Sequence, residues 1–250
     1  MKISIITVTF NSAETLRDTI ESVLKQTYTN IEYIIVDGLS KDSTVDIIKE
    51  YEPNFKNRLK WISEKDQGLY DAMNKGIRLA TGDVIALINS DDLFAESTAI
   101  EKMVKCFKNH PEADAVYANL YYVSQNDTDK IVRNYICGNQ RPFKYGWHPA
   151  HPTFYVKREI YQRYELFDLN LEFAADFELM LRFIEKYNIK LVYLKDSLVK
   201  MRLGGKTSKS FENIRKGNIE CFRAFKKNGL SVSYLYPVFR LFPKLKQFLK

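Results

Sequence analysis

The chain has 250 residues, 45% of them hydrophobic and 28% charged, with a net charge of +7. That length can bury a sizeable core, and the composition is that of a globular protein rather than a disordered or fibrous one. Its three cysteines, Cys106, Cys137 and Cys221, are scattered without a CxxC pair, which argues against a disulfide framework or a zinc site and fits a reducing compartment. No apolar run is long enough to span a bilayer, and the opening stretch is too short and β-branched for a signal peptide, so a cytoplasmic location is expected.

The first half alternates strand and helix. Residues 3–10 read as a strand, and Asn11 and Glu14 have the spacing of a capping box. Leu16, Ile20, Val23 and Leu24 then recur at helical spacing. Residues 31–36 form a second expected strand, ending in Asp37-Gly38. Ser40 or Asp42 can cap the next helix, whose inner face carries Val45 and Ile48. Residues 59–63 read as a short strand and residues 66–71 as a polar turn. A helix with Ala72, Met73, Ile77 and Ala80 inward stops at Gly82. Residues 84–88 form an apolar strand that runs into Asn89-Ser90-Asp91-Asp92, and a helix opened by Ser97 follows. Such alternation predicts βαβ units and a parallel sheet.

The character changes near residue 114. A Tyr- and Val-rich strand over 114–123 is followed by a polar turn at 124–130 and an antiparallel return over 131–137. Residues 141–152 form an aromatic loop with Pro and Gly; 153–156 and 189–194 read as strands and 173–187 as a helix. Residues 203–208 make a basic glycine loop, after which helical sequence runs to the end. No linker divides the chain, so a single domain over 1–208 is expected, with a basic tail over 209–250.

Parallel strands bring their carboxyl ends to one edge of a sheet, where ligands bind. That edge would gather Thr9, Asn11, Asp37, the Asp66 turn and the Asp91-Asp92 pair. A single aspartate there is often a helix cap, but four polar strand ends on one rim point to a cleft. Adjacent carboxylates repel unless a cation or a sugar hydroxyl uses them. No GxGxxG and no GxxxxGK[ST] is present, so neither the dinucleotide fingerprint nor a P-loop applies.

The stretch Ile6-Thr7-Val8-Thr9-Phe10-Asn11, the segment Val36-Asp37-Gly38 through Thr44, the segment Asp66-Gln67-Gly68 through Ile77, and Gly82-Asp83 through Asp92 together resemble the family 2 glycosyltransferases, which have the GT-A fold. Ala174-Ala175-Asp176 through Arg182 and the Gly204-Gly205 loop extend the resemblance to about residue 208. It is similar above all to the bacterial branch that builds capsule, exopolysaccharide and lipopolysaccharide. The resemblance implies a mixed, mainly parallel Rossmann-like α/β sheet flanked by helices. Residues 1–123 would be the nucleotide-sugar half and 124–208 the acceptor half.

It further implies that Thr9, Asn11 and Asp37 cradle the nucleotide base, that the Asp66 turn closes over base and ribose, that Asp91 faces the ribose, and that Asp92 ligates Mn²⁺ or Mg²⁺ on the diphosphate of a donor, with a UDP-sugar expected. Position 89 is Asn, so the motif is x-Asp-Asp, and Thr9 stands where many relatives have Pro. Asp176 is the implied general base, with Glu178 as fallback, for an inverting displacement on a saccharide or polyprenyl-linked acceptor. His151 is placed on the acceptor side, and the Gly204-Gly205 loop over the diphosphate. The absence of Gln-x-x-Arg-Trp predicts transfer of one sugar with release.

His148 and His151 flank a proline in a loop with no third ligand nearby, which disfavours zinc. Phe143, Tyr145 and Trp147 can stack on a sugar or fill the core. The tail over 230–250 mixes aromatics with Arg and Lys, suited to an anionic membrane surface on the inner face of the cell membrane or to packing on the domain. A catalytically silent sugar-nucleotide-binding or scaffold subunit is the alternative function. Nucleic acid is not an expected partner, because the predicted cleft is acidic.

Overall fold

A computed structural model describes residues 1–204 and 210–240. In chain order the elements are β1 (Ile3–Thr9), α1 (Leu16–Leu24), β2 (Ile31–Asp37), α2 (Thr44–Tyr51), β3 (Leu59–Ser63), α3 (Leu69–Leu79), β4 (Val84–Leu87), β5 (Leu93–Phe94) and α4 (Ala99–Asn109). They continue with β6 (Ala115–Val123), β7 (Ile131–Tyr135), β8 (Phe154–Lys157), α5 (Arg158–Tyr164), α6 (Ala175–Leu181), β9 (Leu191–Arg202), α7 (Phe211–Lys227) and α8 (Tyr236–Phe239).

The strands form one mixed sheet in the order β3-β2-β1-β4-β8-β6-β9-β5, with β7 paired to β6. The first four strands are parallel, as the alternation predicts. Strands β1 and β2 are buried along their whole length, as expected of a sheet covered on both faces. Their buried polar side chains are paired: Tyr33 donates to Thr7 Oγ1 at 3.0 Å, and Ser4 to Glu32 at 2.6 Å.

Four expectations are revised. The Asn11 capping box does not form; Asn11 has φ 49° and its side-chain oxygen accepts the Lys41 N–H at 2.8 Å. A short amide side chain tolerates the left-handed region, and here it ties two loops together instead of capping α1. Ile47 and Ile48 form the inner face of α2, with Val45 half-buried. Ser97 does not cap α4; Gln26 Oε1 takes the Ile100 N–H at 3.0 Å. Strand β9 runs on to Arg202 instead of ending at residue 194. Its register against β6 slips after Ala118, and Asn119 Nδ2 holds the looped-out Lys195 carbonyl at 2.7 Å.

Two elements, β5 and α5, were not expected from the pattern. Helix α6 continues into a π-helical turn over Arg182–Lys186. The predicted closing loop at 205–208 and the tail beyond residue 240 lie outside the described residues. No helix among the described residues is long and apolar enough to cross a membrane.

Candidate active site

Strand register builds the rim. Thr9 pairs with Asp37 across β1 and β2, and Asp37 pairs with Ser63 across β2 and β3. Three polar side chains therefore stand in one row where the parallel strands end. Asp37 is fully buried and accepts from the Ser40 N–H at 3.1 Å, the Ser40 hydroxyl and the Ser63 hydroxyl at 2.6 Å. An ionised carboxylate has about four acceptor positions, so one stays available to a ligand. Thr9 Oγ1 is buried without a partner. The Ser40 hydroxyl also receives the Asn11 N–H at 2.8 Å, which joins Asn11 to the row.

The Asp66 turn reaches the same place. A Cβ at Gly38 would sit 2.4 Å from Asp66 Oδ2 and 3.4 Å from the Phe10 ring. Only glycine lets the carboxylate approach this closely. Phe10, at the strand end on the same rim, is 59% exposed, an aromatic face left open beside two carboxylates.

Helix α3 is the hub. Tyr70 sends its hydroxyl to Asp176 Oδ1 at 3.2 Å. One turn on, the Asn74 amide clasps the Phe167 backbone, donating to its carbonyl and accepting its N–H, both at 2.9 Å. Lys75 bonds the Lys65 carbonyl at 2.7 Å and anchors the Asp66 turn. Gly76 lies against β1, where a Cβ would be 2.4 Å from Ile6. The motif over 66–77 is thus a turn and one helix whose different faces brace the rim on one side and Asp176 on the other.

At the end of β4, Asp92 is 1% exposed and Asp91 half-buried. Asp92 Oδ2 accepts from Asn89 Nδ2 at 3.0 Å, while Asp92 Oδ1 and Asn89 Oδ1 are buried with no hydrogen-bond partner. Burial and then the neighbouring Asp91 charge push the Asp92 pKa well above the carboxylate range, against Asn89 and Arg202. A carboxylate oxygen of Asp92 and an amide oxygen of Asn89, both buried without a partner, are hard donors of the kind that Mg²⁺ or Mn²⁺ takes. Among the described residues no cluster of three His, Cys, Asp or Glu side chains could hold a metal alone. A cation here would take few protein ligands and the remainder from a diphosphate, as Mg²⁺ commonly does.

Sequence reasoning missed Arg202, because it lies on the unpredicted extension of β9. It is 6% exposed, bonds the Asp91 carbonyl at 2.7 Å, and pairs with Asp18. It pins the acidic loop to α1.

Asp176 is half-buried at the second position of α6 and accepts the Phe177 N–H at 2.8 Å. It is not the helix cap: the Glu220 carboxylate of α7 takes the N–H groups of Glu172, Phe173 and Ala174 instead. His151 lies close enough to feel the Asp176 charge; burial holds its pKa below the ordinary value, with Asp176 opposing, and its Nε2 is buried and unpartnered. Phe167 links the two neighbours of Asp176, stacking on Tyr70 at 5.4 Å and meeting His151 edge-on at 5.8 Å.

Glu178 is not brought to this group. It is fully buried with Arg182 Nε and Nη2 at 3.0 Å and Asn228 Nδ2 at 2.9 Å on its oxygens. Phe143 and Trp147 belong to the core, with Trp147 donating to the Cys137 carbonyl at 2.8 Å; Tyr145 is 59% exposed.

Comparison with known proteins bears on the same elements. The sequence model of Glycosyl transferase family 2 matches residues 4–190. A PGL/p-HBAD biosynthesis glycosyltransferase of Mycobacterium bovis is 29% identical over 187 residues, covering 72% of this chain and 68% of its own. An uncharacterized glycosyltransferase of Mycobacterium tuberculosis is 31% identical over 182 residues with the same coverage. Among solved structures, the Pyrobaculum calidifontis mannosyltransferase in complex with GDP-Man and Mn²⁺ superposes with a TM-score of 0.68 at 16% identity, covering 99% of this chain and 69% of that one. Residues 1–349 of Staphylococcus aureus TarS in complex with UDP give 0.63 at 18%, covering 88% and 65%. The chain spans 39% of the length of a longer TarS structure. At such identities the likeness establishes the fold, which is GT-A. The family match covers well over half of the sequence, and the chain belongs to glycosyl transferase family 2.

Proposed function

We propose that the protein transfers one sugar, with inversion, from a nucleotide-diphosphate sugar to a hydroxyl of a saccharide or lipid-linked saccharide in cell-surface glycan synthesis. The observation that carries this reading is the Tyr70–Asp176 hydrogen bond, which fastens a half-buried carboxylate of the second half to the helix that braces the nucleotide rim. Donor and acceptor machinery then share one rigid support, as in-line transfer requires.

Each residue has a task. Asp37 and Asp66 accept hydrogens from base and ribose, with the Thr9 hydroxyl and Asn11 beside them and Phe10 as a stacking face. Asp91 holds the ribose. Asp92 and Asn89 supply the oxygens for Mn²⁺ or Mg²⁺, which when bound neutralises the departing diphosphate. Asp176 removes the proton of the acceptor hydroxyl, Tyr70 fixes the orientation of its carboxylate, and neutral His151 borders the acceptor. Residues 1–123 serve the donor and 124–208 the acceptor. A UDP-sugar is the expected donor; the Pyrobaculum neighbour binds GDP-Man and the TarS neighbour UDP.

A panel of UDP-, GDP- and dTDP-sugars, with and without Mn²⁺, tests the reading. Metal-dependent release of the nucleoside diphosphate is expected, lost in Asp92→Ala. Asp176→Asn is expected to lower kcat by about 10²- to 10⁴-fold with donor affinity retained, the usual contribution of a general base. Tight donor binding without turnover on any lipid-linked acceptor would instead identify a silent binding subunit.

A further inference from the structure

Three buried polar atoms among the described residues lack a hydrogen-bond partner in the second half of the chain near Asp176: His151 Nε2, Tyr236 Oη and Arg240 Nε. The last two belong to the C-terminal segment. Tyr236 is fully buried, its ring 5.0 Å from Phe225 and 6.2 Å from Phe177. Arg240 follows one turn later, its N–H on the Tyr236 carbonyl at 2.9 Å. Its guanidinium lies over the Phe177 ring at 5.5 Å, and Phe177 is the residue next to Asp176. One end of the guanidinium, Nη1, reaches Asn218 Oδ1 and Cys221 Sγ, both at 3.0 Å.

None of the ion pairs among the described residues includes Arg240. The acidic groups of the packed elements are already engaged. Glu178 is held by Arg182 and Asn228, Glu220 by three backbone N–H groups, and Asp176 by Tyr70 and the Phe177 N–H. Asp176 is near enough to interact with the guanidinium, as are the Tyr135 and Tyr236 hydroxyls and the Cys221 thiol. None of them gives the half-buried Arg240 a hydrogen-bonded oxyanion at its buried Nε. Placing a cation with an idle N–H beside a phenol with an idle O–H is costly unless an oxyanion accepts from both.

We propose that Tyr236 and Arg240 complete a phosphate-binding subsite beside Asp176, which takes a phosphate group of the acceptor. The inference rests on the transferase reading for its acceptor, but not for its anion. It gives the C-terminal segment a direct part in acceptor recognition: Arg240 Nε and Tyr236 Oη donate to phosphate oxygens, and the hydroxyl to be glycosylated is delivered to Asp176. Both residues hold the acceptor rather than carry the proton, so they position and do not catalyse.

The test is calorimetric titration of the full chain with inorganic phosphate and inorganic pyrophosphate in chelator, where the cation-dependent donor site cannot contribute. Wild type is expected to bind at least one of them, with about tenfold weaker binding in Arg240→Gln and several-fold weaker binding in Tyr236→Phe, which keeps the packed ring. Preference for pyrophosphate assigns a diphosphate-linked acceptor; preference for phosphate assigns a monophosphate. Nucleotide binding with Mn²⁺ is expected to stay unchanged in both variants. Absence of binding to wild type, or equal binding by wild type and both variants, overturns the subsite. Failure of the transferase reading shows separately, as the lack of nucleoside diphosphate release by wild type across the donor panel.

Discussion

Single residues set the limits of this site. Gly38 has no side chain because Asp66 occupies the space it would fill. Gly38→Ala is expected to displace that carboxylate and weaken nucleotide binding by about tenfold, the worth of about one charge-assisted hydrogen bond. An equilibrium titration with UDP and GDP checks it, with a melt to show that stability moves little. At the opposite edge of the sheet, Glu32 is nearly buried. Burial opposes its charge, but Lys2, Ser4 and Thr81 hold its pKa at about 2, below the ordinary 4.5. A depressed carboxylate pKa contributes stability above the unfolded value and loses it as pH falls through the folded one. The span from 4.5 to about 2 corresponds to about 3 kcal/mol. In urea unfolding, wild type is therefore expected to exceed Glu32→Gln clearly at pH 7, with the gap narrowing below about pH 4. A gap that stayed constant down to pH 3 would contradict the assignment.

Elements are held by side chains that reach between them. Glu178 on α6 and Arg182, one turn later at the start of the π-helical turn, are both buried, and Arg182 also bonds the Leu166 carbonyl at 2.8 Å. Removing one partner strands the other charge, so Glu178→Ala is expected to cost about 3–5 kcal/mol. Denaturant titration measures it, and a change below 1 kcal/mol would refute the structural role. Here the limits of sequence reading are plain. Periodicity locates α6 within the helix expected over 173–187, and the family resemblance offers its Glu178 as a fallback base. The i, i+4 arginine was the signal that it was spoken for. Helix α3 was legible because its apolar face is regular. The partners of its polar residues, Asp176 for Tyr70 and Phe167 for Asn74, lie about a hundred residues away and leave no local trace. Strand β9 was cut short at Leu194 because Lys195-Asp196-Ser197 reads as a turn. Only Asn119, across the sheet, shows it to be a bulge. Arg202 was lost with it.

Across the whole molecule, the rim of parallel strand ends was readable because βαβ alternation dictates which edge they share. The mixed half was readable only in part: β7 returns antiparallel on β6 as expected, but the seats of β8 and β9 follow no such rule. Strand β8 enters between β4 and β6, pairing Ile85 with Val156 and Ala115 with Val156 on its two sides. The C-terminal segment begins as packing, with Tyr236 buried, while Tyr234 and Leu235 are 84% and 59% exposed. Removal of residues 231–250 is expected to lower the melting temperature by several degrees through loss of the Tyr236 contacts, and also to release the protein from anionic vesicles. Flotation of wild type and truncation with anionic vesicles checks the second effect; equal binding would remove membrane contact from the roles of the segment.

The seat of β8 has a consequence for chain continuity. The donor side, cut out as residues 1–123, would open one side of β4 and leave β6 and β5 with no strand partner at all. Such a fragment is expected to aggregate when made alone. Supplied together with the remainder from residue 124 onward, it has its missing strands β7, β8 and β9 to recruit. The polar turn at 124–130 is then a place where the polypeptide can be interrupted without dismantling the fold, and two inactive pieces can be made to report their meeting by restored nucleotide binding.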